Sequence, residues 1–221
     1  QFKIQFARMG EPAFNPAVLD LLEELPGRYD APGFMPSLST IAPHGTETFF
    51  ERLLDIKTRL YSNGQFQFQY SVHTSDQAVR DEMIPVKKWD FARMAAYGER
   101  FYAPGDRKIT LNFALAEGKP VDPDELLRYF SPDKFLIKIT PLNPTYQAEQ
   151  HGLKSYIDPQ QAGQTYSVIE NLRAAGYQVI PAIGEVEENY IGSNCGQYVR
   201  KHLEAIQQLA HGYTYQVKNY P

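Results

Sequence analysis

Stretches with a two-residue apolar period alternate along this chain with stretches of helical period, one pair about every 30 residues, the length of a strand-helix unit. That alternation constrains the fold more than any other feature, because strands joined through helices must run parallel. The clearest strand is "QFQFQYSVH", where Phe66, Phe68 and Tyr70 alternate with glutamines. Further strands are predicted over residues 2–8, 34–40, 108–115, 135–140 and 177–181. The first helix is predicted to be capped by Asn15, to begin at Pro16, to bury Val18, Leu21, Leu22 and Leu25, and to stop at Pro26-Gly27. Others are predicted from Thr46 to residue 60, from Ser75-Asp76, over 90–101, from Asp122-Pro123, over 165–175 with Gly176 as its stop, and over 198–210. Residues 141–164 and 184–196 have no clear periodicity and read as long loops of the kind that carry function.

Charge excludes some partners. The chain of 221 residues has a net charge of −4, and its densest basic spots are only Lys87-Lys88 and Arg107-Lys108. Neither makes a phosphate-binding stripe. Cys195 is the single cysteine, so no internal disulfide exists, as expected of a cytoplasmic protein. No apolar run approaches the roughly 18 residues of a membrane span, and no membrane partner is expected.

Ligands of parallel α/β folds sit at the carboxyl ends of the strands. In chain order those ends carry Met9-Gly10-Glu11-Pro12, then Ser39-Thr40, then Ser71, His73 and Thr74, then Glu117-Gly118, then Pro141, Asn143 and Pro144, and last the loop with Cys195. Small, polar and carboxylate groups thus converge on one rim. Taken singly, Met9-Gly10-Glu11-Pro12 also reads as an ordinary strand-to-helix turn, His73 as a structural histidine and Asn143 as a turn residue.

The ordered set resembles the radical S-adenosylmethionine enzymes, and among them the adenine-carbon-2 RNA methyltransferases of the RlmN and Cfr type. The resemblance is carried by Met9-Gly10-Glu11-Pro12 with Asn15, Ser39-Thr40, Ser71-Val72-His73-Thr74, Arg80 with Ile84-Pro85, Pro141-Leu142-Asn143-Pro144 and Cys195-Gly196-Gln197. It implies an incomplete parallel (β/α) barrel over residues 1–198, lacking its first strand-helix unit, followed by a C-terminal helix and tail over 199–221. It further implies S-adenosylmethionine as radical source and methyl donor, held by Gly10, Glu11, Pro12, Ser39, Ser71, His73 and Asn143, with Cys195 as methyl carrier. RNA is the implied substrate, and an electron donor such as flavodoxin or ferredoxin the implied partner. The family's [4Fe–4S] cluster is held by three thiolates spaced Cys-x3-Cys-x2-Cys. This chain departs from that pattern, so the resemblance implies a longer enzyme with the cluster ligands upstream. "NYIGSN" at Asn189–Asn194 and Phe6-Ala7-Arg8 also depart from the family pattern. Two alternatives stay open: a radical S-adenosylmethionine enzyme acting on something other than RNA, and a cluster-free, non-catalytic binding module on the same scaffold.

Overall fold

The computed structural model describes residues 2–7, 10–142, 148, 150–158 and 166–182. Asn143 and Cys195, the loop at 184–196, the helix expected over 198–210 and the C-terminal tail lie outside the described residues.

Six strands form one all-parallel sheet in the order of the sequence: β1 (Phe2–Phe6), β2 (Phe34–Thr40), β3 (Gln67–Ser71), β4 (Ile109–Leu115), β5 (Phe135–Pro141) and β6 (Val179–Pro181). The helices are α1 (Ala17–Arg28), α2 (Glu47–Leu60), α3 (Gln77–Met83), α4 (Phe91–Phe101), α5 (Pro123–Leu127) and α6 (Ser167–Ala174). Every crossover moves one strand onward in the same direction. Since such crossovers are right-handed, all the helices fall on one face of the sheet. The architecture is α/β and compatible with a partial (β/α) barrel.

The core lies between sheet and helices. Phe68 and Tyr70 point from β3 into an aromatic cluster, with the Phe68 ring 4.7 Å from Phe101 of α4 and 5.9 Å from Tyr97. Buried tyrosine hydroxyls pin elements together by donating to main-chain carbonyls. Tyr70 bonds Met94 at 3.2 Å, Tyr97 bonds Phe50 at 2.8 Å and Tyr177 bonds Phe130 at 2.6 Å. Gly98 of α4 permits the closest approach, because a Cβ there would lie 2.5 Å from Cζ of Phe135. The buried Lys57 is satisfied by the Phe101 carbonyl at 2.8 Å and by the Asp106 carboxylate.

The first helix differs from its sequence reading in three ways. It does not stop at Pro26-Gly27 but runs on to Arg28. A proline leaves the carbonyl four residues earlier without its helical donor. That carbonyl, on Leu22, accepts instead from the Tyr61 hydroxyl of the next unit at 2.6 Å, so the helix continues with no buried group unpaired. It begins at Ala17 with Pro16 as its N-cap, one residue later than expected, while Asn15 accepts from the Ala17 amide at 3.2 Å. Its buried residues are Leu19 and Leu22, whereas Leu21 is 41% exposed. The sixth strand starts at Val179, two residues later than expected.

At the amino ends of the strands, Phe2, Ile4, Tyr29, Phe34 and Tyr61 line a cleft of about 630 Å³ beside the edge strand β1. No helix among the described residues is long and apolar enough to cross a membrane.

Candidate functional site

The turn after β1 begins at Gly10, whose φ of +110° is a conformation that side chains other than glycine's rarely adopt. Nothing lies within 4 Å of where a Cβ would be, so Gly10 is needed here for its backbone and not for crowding by the protein. Glu11 follows and closes the short 3-10 turn Pro12–Phe14, accepting from the Ala13 amide at 3.1 Å. Pro12, the first residue of that turn, is buried. The Glu11 carboxylate also accepts from the Thr40 hydroxyl at 2.5 Å and the Ile41 amide at 2.9 Å. It thereby ties the turn to the end of β2. Three donors use three of its roughly four lone-pair positions, leaving room for one more. Burial pushes the Glu11 carboxyl above its ordinary value, and the three hydrogen bonds pull against that push.

Beyond β2 the chain turns sharply. Ala42 is fully buried with φ +56°, and its carbonyl accepts from the Trp89 amide at 2.8 Å. Under this turn lies Arg80, also fully buried. It donates to the carbonyls of Trp89 at 2.8 Å, Ile41 at 3.0 Å and Ser71 at 3.3 Å. It therefore joins the ends of β2 and β3 to the loop before α4. Among the described residues no carboxylate bonds it directly, and its Nε has no partner. Burial draws Arg80 down to about 10, which still leaves it charged at neutral pH.

At the end of β3, His73 has φ +69°. Its amide donates to the Asn112 carbonyl at 3.2 Å, and its Nδ1 accepts from the Ala114 amide at 3.0 Å. An Nδ1 that accepts carries no proton, so the proton of the neutral ring sits on Nε2, which is a donor. Burial, aided by the nearby Arg80 charge, lowers His73 to about 4, so the ring is neutral at physiological pH. Thr74 and Ser75 bind the loop after β4: the Thr74 hydroxyl donates to the Pro120 carbonyl at 2.8 Å, and Ser75 Oγ accepts from the Asp122 amide at 2.8 Å. Backbone strain at Ala42 and His73, at the ends of adjacent strands, is of the kind concentrated at functional sites.

The sheet face turned away from the helices is polar. Lys3, Gln5, Ser37, Ser39, Gln67, Gln69, Ser71, Thr110, Asn112 and Lys138 occupy it by register and alternation. Gln69 donates to the Ser39 hydroxyl at 3.0 Å, and Lys3 donates across β2 to Gln67 at 2.8 Å. Ser39 and Ser71 are half-buried near the carboxyl ends of β2 and β3, and Asn112, at the middle of β4, is half-buried beside Ser71. Oδ1 of Asn112 is buried without a donor, a state that costs roughly 1–3 kcal/mol.

Of the residues expected from the sequence, Gly10, Glu11, Pro12, Ser39, Ser71 and His73 lie along the ends of β1, β2 and β3. Glu11 reaches Ser71 through one chain of bonds by way of Ile41 and Arg80. Gly118 turns the chain after β4 with φ +71°, beside Glu117, whose amide donates to the Lys154 carbonyl at 2.9 Å. Thr40 and Arg80 were named in the sequence reading without a role, and Asn112 was missed by it. Asn112 had a signal, an amide inside the apolar run "ITLNFAL". Among the described residues no three His, Cys, Asp or Glu side chains gather as a metal site. No family model, curated protein or solved structure matches the chain.

Proposed function

We propose that this chain is the S-adenosylmethionine-binding part of a radical methyltransferase-like enzyme, built on an incomplete (β/α) barrel that lacks its first strand-helix unit. The observation that carries the reading is the bonded rim from Glu11 through Thr40 and Ile41 to Arg80 and Ser71, with His73 beside it. On this reading Gly10, Glu11, Pro12, Ser39, Ser71 and His73, the described residues named by the resemblance as cofactor contacts, follow one another along that rim.

S-adenosylmethionine, when bound, supplies the radical source and the methyl group. The donor set on the rim suits such a molecule. Glu11 has one acceptor position left for an ammonium, Gly10 leaves open space beside the turn, and Ser39, Ser71 and His73 offer hydroxyl and Nε2–H groups to a nucleoside. Asn143 and Cys195 belong to the same reading, as cofactor contact and methyl carrier. A [4Fe–4S] cluster does not fit these 221 residues, which contain one cysteine, so its ligands lie elsewhere in the intact enzyme under this proposal.

RNA adenine is the substrate this reading favours. The net charge of −4 and the lack of a basic stripe favour a second reading, in which a radical S-adenosylmethionine enzyme modifies a protein or small metabolite and does not methylate it. Cys195→Ala in the intact enzyme separates the two. Loss of RNA methylation supports the methyl-carrier role, and turnover unaffected by the substitution removes it. Under the proposal the 221-residue chain alone binds S-adenosylmethionine only weakly, because a cluster that would help to anchor it needs thiolates that these 221 residues do not supply. Submicromolar affinity by titration calorimetry contradicts that.

A further inference from the structure

Asn112 stands in the middle of β4 on the polar face, with Ser71 of β3 and Lys138 of β5 as its register neighbours. Its carbonyl is fully used, accepting from the amides of Val72 at 2.9 Å and His73 at 3.2 Å. Its side-chain Oδ1 is buried and has no donor. Asparagine is a poor strand former, so local preference does not select it. Nor does it fill the core, because Leu111 and Phe113 on either side of it point to the helices. A buried polar atom left unpaired in this way needs an explanation. The same rim offers the complementary group, since His73 binds the Asn112 main chain and keeps its proton on Nε2.

We infer that Asn112 is a ligand-reading residue of this rim, whose Oδ1 takes an N–H or O–H donor from an uncharged polar group, while His73 donates from Nε2 to an acceptor on the same ligand. A carboxylate or phosphate fits badly against an acceptor oxygen, so the ligand class is a hydroxyl- or amine-bearing moiety such as a nucleoside. The choice of a nucleoside rests on the function proposed above.

Asn112→Leu keeps the size of the side chain and deletes the unpaired atom. In the 221-residue chain the melting temperature is expected to hold or rise. Affinity for adenosine, followed by NMR titration, is expected to fall about tenfold, the effect of one lost hydrogen bond. Asn112→Asp keeps the acceptor and retains most of the affinity. A lower melting temperature for Asn112→Leu overturns the inference, because it reveals a structural partner inside the fold. Unchanged adenosine affinity overturns it as well, and so does a loss in Asn112→Asp equal to that in Asn112→Leu, which assigns the contact to Nδ2. If the unsubstituted chain binds no adenosine, the nucleoside of the proposed function fails, and the melting temperature of Asn112→Leu alone decides whether Asn112 is reserved for a ligand.

Discussion

Phe68 and Gln69 are neighbours in β3 that point to opposite faces of the sheet. Phe68 is 2% exposed and packs its ring against Tyr70, Tyr97 and Phe101. Gln69 is half-buried and makes one hydrogen bond, to Ser39. The helix-facing side is held by close packing, where a missing atom leaves a void that neighbours cannot fill. The other side is held by hydrogen bonds, which water or a ligand replaces at little net change. Stability and ligand chemistry are thus assigned to separate faces of one sheet, and a polar-face side chain such as Gln69 is free to change without loosening the core.

The largest effect that would break this division is on the packed face. Phe68→Ala is expected to lower unfolding free energy by about 3–5 kcal/mol in chemical denaturation. An effect under 1 kcal/mol would mean that the aromatic cluster collapses readily and that the two faces are not so different.

His73 comes next, and its effect depends on pH. Its folded pKa, about 4, lies below the ordinary histidine value of 6.5, so between those values the unfolded chain binds more protons. Stability therefore rises with pH across that window and is lost as pH falls through it, by roughly 3 kcal/mol at most. Glu11 acts in the opposite sense. Its carboxyl is raised above 4.5, so its contribution declines as pH climbs from there. His73→Gln is expected to remove the acid-side loss between pH 6.5 and 4. A pH profile identical to that of the unsubstituted chain would show that the ring is protonated at no cost, and hence is not held in the neutral form described.

The smallest effect is expected at Gln69→Leu, within about 1 kcal/mol of the unsubstituted chain, as befits one partly solvated hydrogen bond. A loss rivalling that of Phe68→Ala would erase the distinction between the faces.

The strands were legible because a sheet covered on one side writes its two-residue period into the sequence, as in "QFQFQYSVH". The end of α1 was not, because the group that rescues the Leu22 carbonyl is Tyr61, in the next strand-helix unit and invisible to any local pattern. The rim divides in the same way. Gly10 and Glu11 announced themselves through the turn they form. Arg80 looks like any helix arginine until Ile41, Ser71 and Trp89 are brought around it by the fold. Asn112 betrayed itself as polar in an apolar run, but its missing partner appears only once the neighbouring strands are in place.

Ile41 receives both of the rim's opposing charges across a single residue: its amide donates to the Glu11 carboxylate and its carbonyl accepts from the Arg80 guanidinium. In terms of sequence drift, this leaves the Ile41 side chain free to vary, because only its main-chain groups are used, whereas Glu11 and Thr40 are tied directly, since loss of the Glu11 carboxylate leaves the buried Thr40 hydroxyl without its acceptor.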